Sequence, residues 1–381
     1  MISQTAGMYY QTYQIAFETA RMAEKAFQFE RGLQEQEASF ITGGYWDSQR
    51  KGLLAGEQLT LDLDRMEQAF VKTDERRLEI TREVSLLELD PLAFLRLKLK
   101  GSCEFSLDEA FFDYDFPGHY ARQIKTIAVE FDVPNGKTVY ATLTQLSHQT
   151  VLQPDPKAVK FLLAPKDEPP ATIRSNWRSS QQVALSHHDQ YQKNNGMFEL
   201  NYNSDRYLPF EGTGAVSRWK LELNGKKGSI DLRELVDITI HLEYTARQGG
   251  AVFAQAVKGT LKPYQAMRFF DFIFDFPQEW KDFLDGDSTV LTLTFTRDQF
   301  PGMSSSKISG IFTHYNLSQP DDQASTILNG NDTWVLTENA YLDTTGLSIG
   351  PKGSDLTFEY RGDKKTLQNI QLVFSYTASV S

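Results

Sequence analysis

The chain has 381 residues, a formal net charge of −11 and one cysteine, Cys103. A single cysteine excludes an internal disulfide and any zinc site built on several thiolates. The excess of carboxylates argues against general nucleic-acid binding, because that activity needs a basic surface to displace counterions. A chain of this length predicts two or three domains.

The N-terminal sequence has neither a basic segment nor the apolar core of a secretory signal peptide. No window approaches the roughly 20 apolar residues that a membrane-spanning helix needs. We therefore expect a protein without a classical signal peptide and without a membrane-spanning segment.

The first predicted element is a long helix. Residues 6–38 contain no proline, and apolar side chains recur every seven residues at Met8, Ile15, Met22 and Phe29. A neighbouring face carries Tyr13, Phe17, Ala20 and Phe27. This wide apolar arc fits a buried core helix, and it also fits a bundle helix whose second apolar face meets another subunit.

A second helix is predicted over 52–88, after a turn at Gly43-Gly44. Spacings of four and three residues there indicate a heptad seam for helix packing. The apolar members of the seam are Leu59, Leu63, Met66, Phe70, Ile80, Val84 and Leu87, and Thr73 and Arg77 interrupt it. Two helices joined by a short turn predict an antiparallel, coiled-coil-like hairpin over residues 1–100. Asp90-Pro91 then predicts the N-cap and first-turn proline of a short third helix.

From residue 101 onward the pattern becomes that of β-strands. Apolar and polar residues alternate cleanly over 219–223 and 238–242, a further strand is marked by Tyr140, Thr142 and Thr144, and alternation is less strict over 124–129. Short strands between Gly, Pro and Asn turns predict antiparallel β-sandwiches.

Self-comparison predicts that the β region contains two copies of one domain. Three blocks recur in the same order: 116–118 matches 300–302, 221–225 matches 358–362, and 238–246 matches 370–378. The first copy is longer, largely through 149–195, which we interpret as a long loop or partly ordered insertion. The predicted fold class is α+β, with the helical hairpin over 1–100 and related β-sandwich domains over 101–249 and 250–381.

Signatures of catalysis are weak. The sequence lacks a Gly-x-Ser-x-Gly elbow, a phosphate-binding loop and a His-Glu-x-x-His motif. His187-His188-Asp189 places candidate metal ligands side by side without a third partner at a typical spacing. Cys103 lies in a β-like run and fits a buried, inert thiol. We expect no enzymatic activity, no cofactor and no metal.

Several sequence blocks resemble TcA, the large subunit of bacterial Tc (toxin complex) insecticidal toxins. The similarity is carried, in chain order, by residues 9–13, 22–27, 45–46, 52–57, 84–93, 115–120, 206–212 and 238–246. It covers about residues 6–250. In that family the corresponding region is the TcB-binding domain at the end of the pore-forming helices.

The resemblance implies an assembly and translocation-gate module. TcA is a pentamer that docks onto the β-propeller of TcB, so we expect a homo-oligomer with a TcB-like partner, secreted or extracellular within a toxin complex. Candidates for partner contact are Arg206, Tyr207, Pro209, Phe210 and Glu211, together with 149–195. Simple turn chemistry explains these loops equally well.

An alternative function is that of a carbohydrate-binding β-sandwich module. Paired sandwiches with exposed aromatic side chains are typical of sugar-binding proteins. Candidate platforms are Trp177, Trp219, Trp280 and Trp334. Trp219 alternates with Leu221 and Leu223, which favours a core position for it.

Overall fold

The structure is a computed structural model of the chain. It describes residues 2–33, 38–47, 53–74, 76–133, 139–166, 168–175, 181–187, 197–198, 209–223, 232, 235–318, 325–329, 332–336, 341–344 and 347–379. Two long helices come first, and two pairs of antiparallel sheets follow.

The N-terminal helices, α1 (Ile2–Arg31) and α2 (Leu53–Lys72), run in the same direction. Near their C-terminal ends, the ring centroids of Phe27 and Phe70 lie 5.7 Å apart. One turn further on, Arg31 forms an ion pair with Asp74 at 2.6 Å. The two C-terminal ends are therefore neighbours, and the predicted antiparallel hairpin is wrong.

The connection between the two helices explains the parallel arrangement. Residues 38–47 run back along α1 and contact earlier and earlier positions of the helix. The buried Glu24 carboxylate accepts a hydrogen bond from the Ile41 N–H at 2.8 Å, and the rings of Phe17 and Tyr45 lie 6.1 Å apart. The chain has thus returned toward the start of α1 before α2 begins.

Helix α2 ends at Lys72, and the chain then forms strand β1 (Leu78–Ser85). The predicted helix over 52–88 is therefore wrong in its second half. Ile80 and Val84 lie on β1 and not in a helical seam, because a spacing of four residues is even and also fits one face of a strand. Strand β1 pairs antiparallel with β9 (Asp237–Gln248).

Two short helices follow β1, namely α3 (Leu86–Leu89), which contains Leu87, and α4 (Pro91–Lys100). The Asp90 carboxylate accepts a hydrogen bond from the Ala93 N–H at 2.9 Å, and Pro91 occupies the first turn. The predicted N-cap and first-turn proline are confirmed. Helix α4 ends at Gly101, whose φ of 72° suits glycine.

The first pair of sheets contains β1, β9 and seven further strands. These are β2 (Ser102–Leu107), β3 (His119–Asp132), β4 (Val139–Val151), β5 (Ile173–Ser175), β6 (Gln182–His187), β7 (Met197–Phe198) and β8 (Val216–Leu223). The sheet orders are β1-β9-β3-β7 and β2-β8-β4-β5, with β6 also beside β4. Helices α5 (Glu109–Asp113) and α6 (Pro156–Leu163) lie between strands. Both sheets contribute to one buried cluster, which includes Trp219 and Ile240.

The second pair of sheets follows helix α7 (Gly250–Thr260). Its elements are β10 (Tyr264–Asp271), α8 (Phe272–Asp275), α9 (Pro277–Asp285), β11 (Val290–Phe295), β12 (Met303–Leu317), β13 (Ser325–Asn329), β14 (Asp332–Leu336), β15 (Tyr341–Asp343), β16 (Ser354–Tyr360) and β17 (Leu367–Ala378). The sheet orders are β10-β17-β12-β15 and β11-β16-β13-β14. A second buried cluster unites them.

The sequence repeat corresponds to a structural repeat. Strands β1-β9-β3 match β10-β17-β12, and β2-β8-β4 match β11-β16-β13. Helices α3 and α4 match α8 and α9, and both α4 and α9 begin with proline. The repeat therefore starts at β1, upstream of the predicted boundary at residue 101. We call residues 78–248 the first β unit and residues 264–378 the second β unit.

Strand β3 carries the break in alternation that the sequence contains. Its register with β9 shifts between Tyr120 and Gln123 and again between Ile124 and Thr126. Ala121 adopts a φ of 49°, and the four residues 121–124 are all buried. Such a bulge reorients neighbouring side chains, and two of the reoriented side chains belong to the site described next.

Candidate functional site

The covered face of helix α1 packs against residues 38–47 and helix α2. The cluster contains Tyr13, Phe17, Ala20, Ile41, Tyr45, Ala55, Leu59 and Leu63. Two members of the predicted seam, Leu59 and Leu63, thus make an intramolecular contact. Of the other seam residues on α2, Met66 is half-buried and Phe70 lies against Phe27.

The opposite face of α1 is exposed. Met8, Ile15 and Met22 are 63%, 68% and 64% exposed, although they continue the seven-residue repeat. Phe29, the fourth member, is buried against the first β unit. We call Met8, Ile15 and Met22 the α1 stripe, and it is an apolar helix face without cover in the described part of the chain.

The C-terminal turn of α1 is held by side chains from residue 77 onward. The last four carbonyl groups of a helix lack intrahelical donors and need other partners. The pairs are Gln28 O with Arg174 (3.1 Å), Phe29 O with Arg174 (3.2 Å) and Gln123 (3.2 Å), Glu30 O with Arg77 (2.7 Å), and Arg31 O with Arg247 (3.3 Å). We call these contacts the helix junction.

The positive charges of the arginines favour the hydrogen bonds of the helix junction. Guanidinium groups at a helix C-terminus face the negative end of the helix dipole, and hydrogen bonds from charged donors are stronger than neutral ones. Burial, with a contribution from Arg77, lowers the pKa of Arg174 to about 10, so this side chain stays charged at neutral pH. Its guanidinium also lies 5.0 Å from the Phe29 ring centroid.

Gln123 joins the helix end to the loop 209–214. Its Nε2 donates to Phe29 O at 3.2 Å and to Gly212 O at 3.0 Å, and its Oε1 accepts from Arg77. Gly212 has a φ of 73°, and a Cβ there would lie 2.6 Å from the Phe29 ring. The loop can therefore approach the helix only with glycine at this position.

The structure describes three of the five predicted partner-contact residues; Arg206 and Tyr207 lie outside the described ranges. Pro209 and Glu211 are half-buried. Phe210 is 1% exposed, and its ring packs edge-on against Trp219 at 4.9 Å. Phe210 thus contributes to the core of the first β unit.

Arg122, next to Gln123, forms a buried charge cluster. Its guanidinium donates to Glu109 at 2.7 Å and to Asp113 at 2.6 Å, and all three side chains are at most 3% exposed. Two carboxylates around one cation leave an excess negative charge in the interior. Burial and the neighbouring Glu109 charge raise the pKa of Asp113 to about 7, although Arg122 opposes this shift.

The structure also places the reactive residue types that the sequence analysis considered. These residues contain no group of three or more His, Cys, Asp or Glu that could hold a metal ion. Burial raises the pKa of the Cys103 thiol to about 12, so it is neutral and unreactive near pH 7. His187 ends β6, whereas His188 and Asp189 lie outside the described residues. None of the described helices is long and apolar enough to cross a membrane.

The two candidate sugar-binding tryptophans that the structure describes are buried. Trp219 is 0% exposed and Trp280 is 5% exposed. Trp177 and the side chain of Trp334 lie outside what the structure describes. The two described indoles therefore have no face available for stacking on a sugar.

Sequence reasoning missed most donors of the helix junction. Arg77 stood out only as an interruption of the helical seam, and that interruption marks the end of α2. Gln123, Arg174 and Arg247 follow no pattern that separates them from other polar residues on strands. Only the fold brings these four side chains to one helix end.

Residues 1–246 match the family described as the Tc toxin complex TcA C-terminal TcB-binding domain. Toxin subunit YenA2 of Yersinia entomophaga is 36% identical over 269 residues, which are 68% of this chain and 19% of that relative. The chain thus spans about a fifth of the length of the relative. The second β unit lies beyond the residues that the family matches.

Two solved structures also match. TcdA4 of Morganella morganii is 25% identical to this chain, with a TM-score of 0.44. The match covers 64% of this chain and 11% of TcdA4. TcaA-TcaB of Yersinia pseudotuberculosis is 23% identical to this chain, with a TM-score of 0.45. The match covers 65% of this chain and 14% of the matched chain. The family match extends over α1, every member of the helix junction except Arg247, and nearly all of the first β unit, and the chain belongs to the Tc toxin TcA C-terminal TcB-binding domain family.

Proposed function

We propose that this chain is a non-enzymatic assembly module of a TcA-like toxin subunit. It docks a TcB-like β-propeller partner and takes part in gating toxin translocation. The helix junction is the observation that carries this proposal. It fastens a long helix to a domain of the TcB-binding family through hydrogen bonds to each of the last four carbonyl groups of α1. A displacement of the first β unit on docking is therefore passed to the helix.

The α1 stripe supports self-association of the module. Apolar residues repeating every seven positions are typical of helices that pack against other helices. Met8, Ile15 and Met22 have this spacing and are each more than 60% exposed. The family resemblance gives a pentamer as the assembly, with the stripe of one copy covered by a neighbouring copy. The assembly belongs to a secreted toxin complex.

The two parts of the proposal are tested with the full chain and a purified TcB-like subunit. Mass photometry should show an oligomer of the chain and a larger complex with the subunit. Ile15→Asp places a charge in the stripe and should shift the chain to monomer. Val71→Asp is the matched control, because Val71 is 70% exposed on α2 and outside the stripe.

The outcomes separate assembly from docking. Loss of the oligomer with both variants would indicate general damage to the helices. A wild-type chain that stays monomeric would refute the assembly role of the stripe. A chain that does not bind the TcB-like subunit under any of these conditions would refute docking.

A further inference from the structure

A large cleft separates the two β units. Its volume is about 2000 Å³, and it is lined by α3, α4 and β1 on one side and by β10 and β17 on the other. Pockets for small molecules typically occupy about 300–1,000 Å³. The cleft is therefore of a size for a polypeptide segment.

One wall of the cleft is an unpaired strand edge. Strand β10 is the outermost strand of its sheet and pairs only with β17 among the described strands. An exposed edge presents unpaired N–H and C=O groups and accepts another strand readily.

Exposed apolar side chains line the same cleft. Phe274 is 77% exposed and Ile273 is 40% exposed, and both lie on α8, the short helix that follows β10. Val236 at 55% and Leu99 at 41% face the cleft from the first β unit. Large apolar groups gathered in a groove are typical of a surface that binds a partner.

The charge of the cleft restricts the partner segment. Nine carboxylates and five cationic side chains line it among the described residues. Arg82 and Arg218 pair with Asp115 and Glu104, which belong to the same lining, so outside these two pairs seven carboxylates and three cationic side chains line the cleft. The surplus of acidic groups is complementary to a basic segment.

We propose that this cleft binds an extended, basic segment of the TcB-like partner, which adds as a strand along the edge of β10 and packs apolar side chains against Ile273 and Phe274. The inference rests on the proposed docking function and assigns part of it to the second β unit. The backbone of β10 provides hydrogen bonds, and the two apolar side chains at its end fix the position of the segment.

The experiment uses the full chain, the intact TcB-like subunit and overlapping synthetic 12-residue peptides that span the subunit. A basic peptide should bind, and both this peptide and the intact subunit should slow hydrogen exchange at residues 264–271. Phe274→Asp should weaken peptide binding about tenfold or more, as expected for an anchor residue. Val252→Asp is the matched control, since Val252 is 86% exposed and lies outside the cleft.

The possible results distinguish this inference from the docking function. If the intact subunit binds but Phe274→Asp has no effect and exchange at β10 is unchanged, the cleft inference is overturned and docking stands. If the intact subunit does not bind, both are overturned. If exchange at β10 slows with rising concentration of the chain alone, the occupant is a second copy and the inference is wrong. Circular dichroism checks that both variants fold.

Discussion

The two β units share a strand order but are held together differently. Rings dominate the core of the second unit, where Phe295 packs against Phe270 at 5.0 Å and against Phe374 at 5.1 Å. The first unit instead buries the Arg122 ion pairs with Glu109 and Asp113. One topology thus tolerates an apolar or a charged interior. The charged interior occurs in the unit that holds the end of helix α1.

A pair of equivalent tyrosines sharpens the contrast. Tyr376 in the second unit donates a hydrogen bond to Pro301 O at 2.9 Å. Its counterpart Tyr244 has a buried hydroxyl without a partner in the described part of the structure, and it lies beside the Arg122 cluster. Unsatisfied buried polar groups are costly. Since the first unit buries the charged Arg122 cluster, we expect it to be more sensitive than the second unit to changes of charge and pH.

The largest effect is expected for Arg122→Met. This change leaves two carboxylates buried without their cation and should reduce the free energy of unfolding of the first unit by about 3–5 kcal/mol. The second unit should be unaffected. Urea unfolding followed by hydrogen exchange in each unit measures the difference.

The control for Arg122→Met is Arg218→Met, which removes an ion pair with Glu104 whose side chains are 59% and 44% exposed. Exposed pairs contribute about 0–1 kcal/mol. If both variants cost the same, or if Arg122→Met destabilises both units equally, the contrast between the two interiors is refuted.

The next prediction concerns Gly118 and Gly302, which end the repeated Phe-Pro-Gly block in the first and second units. Gly118 has a φ of 91°, and a Cβ there would lie 2.6 Å from Ala254 Cβ. Gly302 has a φ of 67°, and its Cβ would meet Ser379 O at 3.3 Å. Gly118→Ala should destabilise by about 2–4 kcal/mol from backbone strain plus overpacking.

For Gly302→Ala we expect about 1–2 kcal/mol from the backbone alone. Thermal unfolding of both variants tests the order. A larger loss for Gly302→Ala would mean that helix α7 yields at Gly118 without cost.

A smaller and more local effect is expected for Gln123→Ala. The change removes the hydrogen bonds to Phe29 O and Gly212 O, but Phe29 O keeps Arg174 and the Gly32 N–H as donors, so we expect a cost of about 1–2 kcal/mol. Faster hydrogen exchange at the last turn of α1 should accompany it, with little change in the second unit. Gln265→Ala, an exposed glutamine on β10, is the control. Unchanged exchange at residues 28–33 would show that the arginines hold the helix end without Gln123.

The last comparison concerns pH. The pKa of Asp113 is about 7 in the folded unit, above its ordinary value of 3.8, because of burial and Glu109. The folded state therefore binds the proton more tightly than the unfolded state between these values, so stability should fall as pH rises from about 4 to 7. The Asp113 carboxylate accepts a hydrogen bond from Arg122 and lies near the charge of Glu109. Two further titratable groups, His119 and Tyr244, lie near Arg122.

Asp113→Asn should remove this contribution to the pH dependence of the first unit. Unfolding midpoints between pH 4 and 8 provide the measurement, with the exposed Asp287→Asn as control. An identical pH dependence in wild type and Asp113→Asn would show that Asp113 does not titrate in this range.

Local sequence patterns predicted the strands of the first unit and the helix start at Asp90-Pro91, because both depend on near neighbours. The repeat was also visible, since its blocks keep their order. Strand β1 was missed because Ile80 and Val84 satisfy a helical and an even strand spacing alike. The parallel course of α1 and α2 could not be predicted, because it depends on the Glu24 side chain holding the backbone at Ile41.

The helix junction could not be predicted for a related reason. Arg77, Arg174 and Arg247 are far apart in sequence and meet only when two sheets and a helix are assembled. The family resemblance was confirmed by the match over residues 1–246, but resemblance alone did not identify which side chains connect helix and sheet.

The bulge at Ala121 has a consequence for how this family can change. It allows neighbouring residues, Arg122 and Gln123, to serve two different tasks from one strand, the first in the charge cluster and the second in the helix junction. Deleting a single residue here would restore regular alternation and turn one of the two side chains away from its partners. The length of this strand is therefore more tightly constrained than the side chains around it.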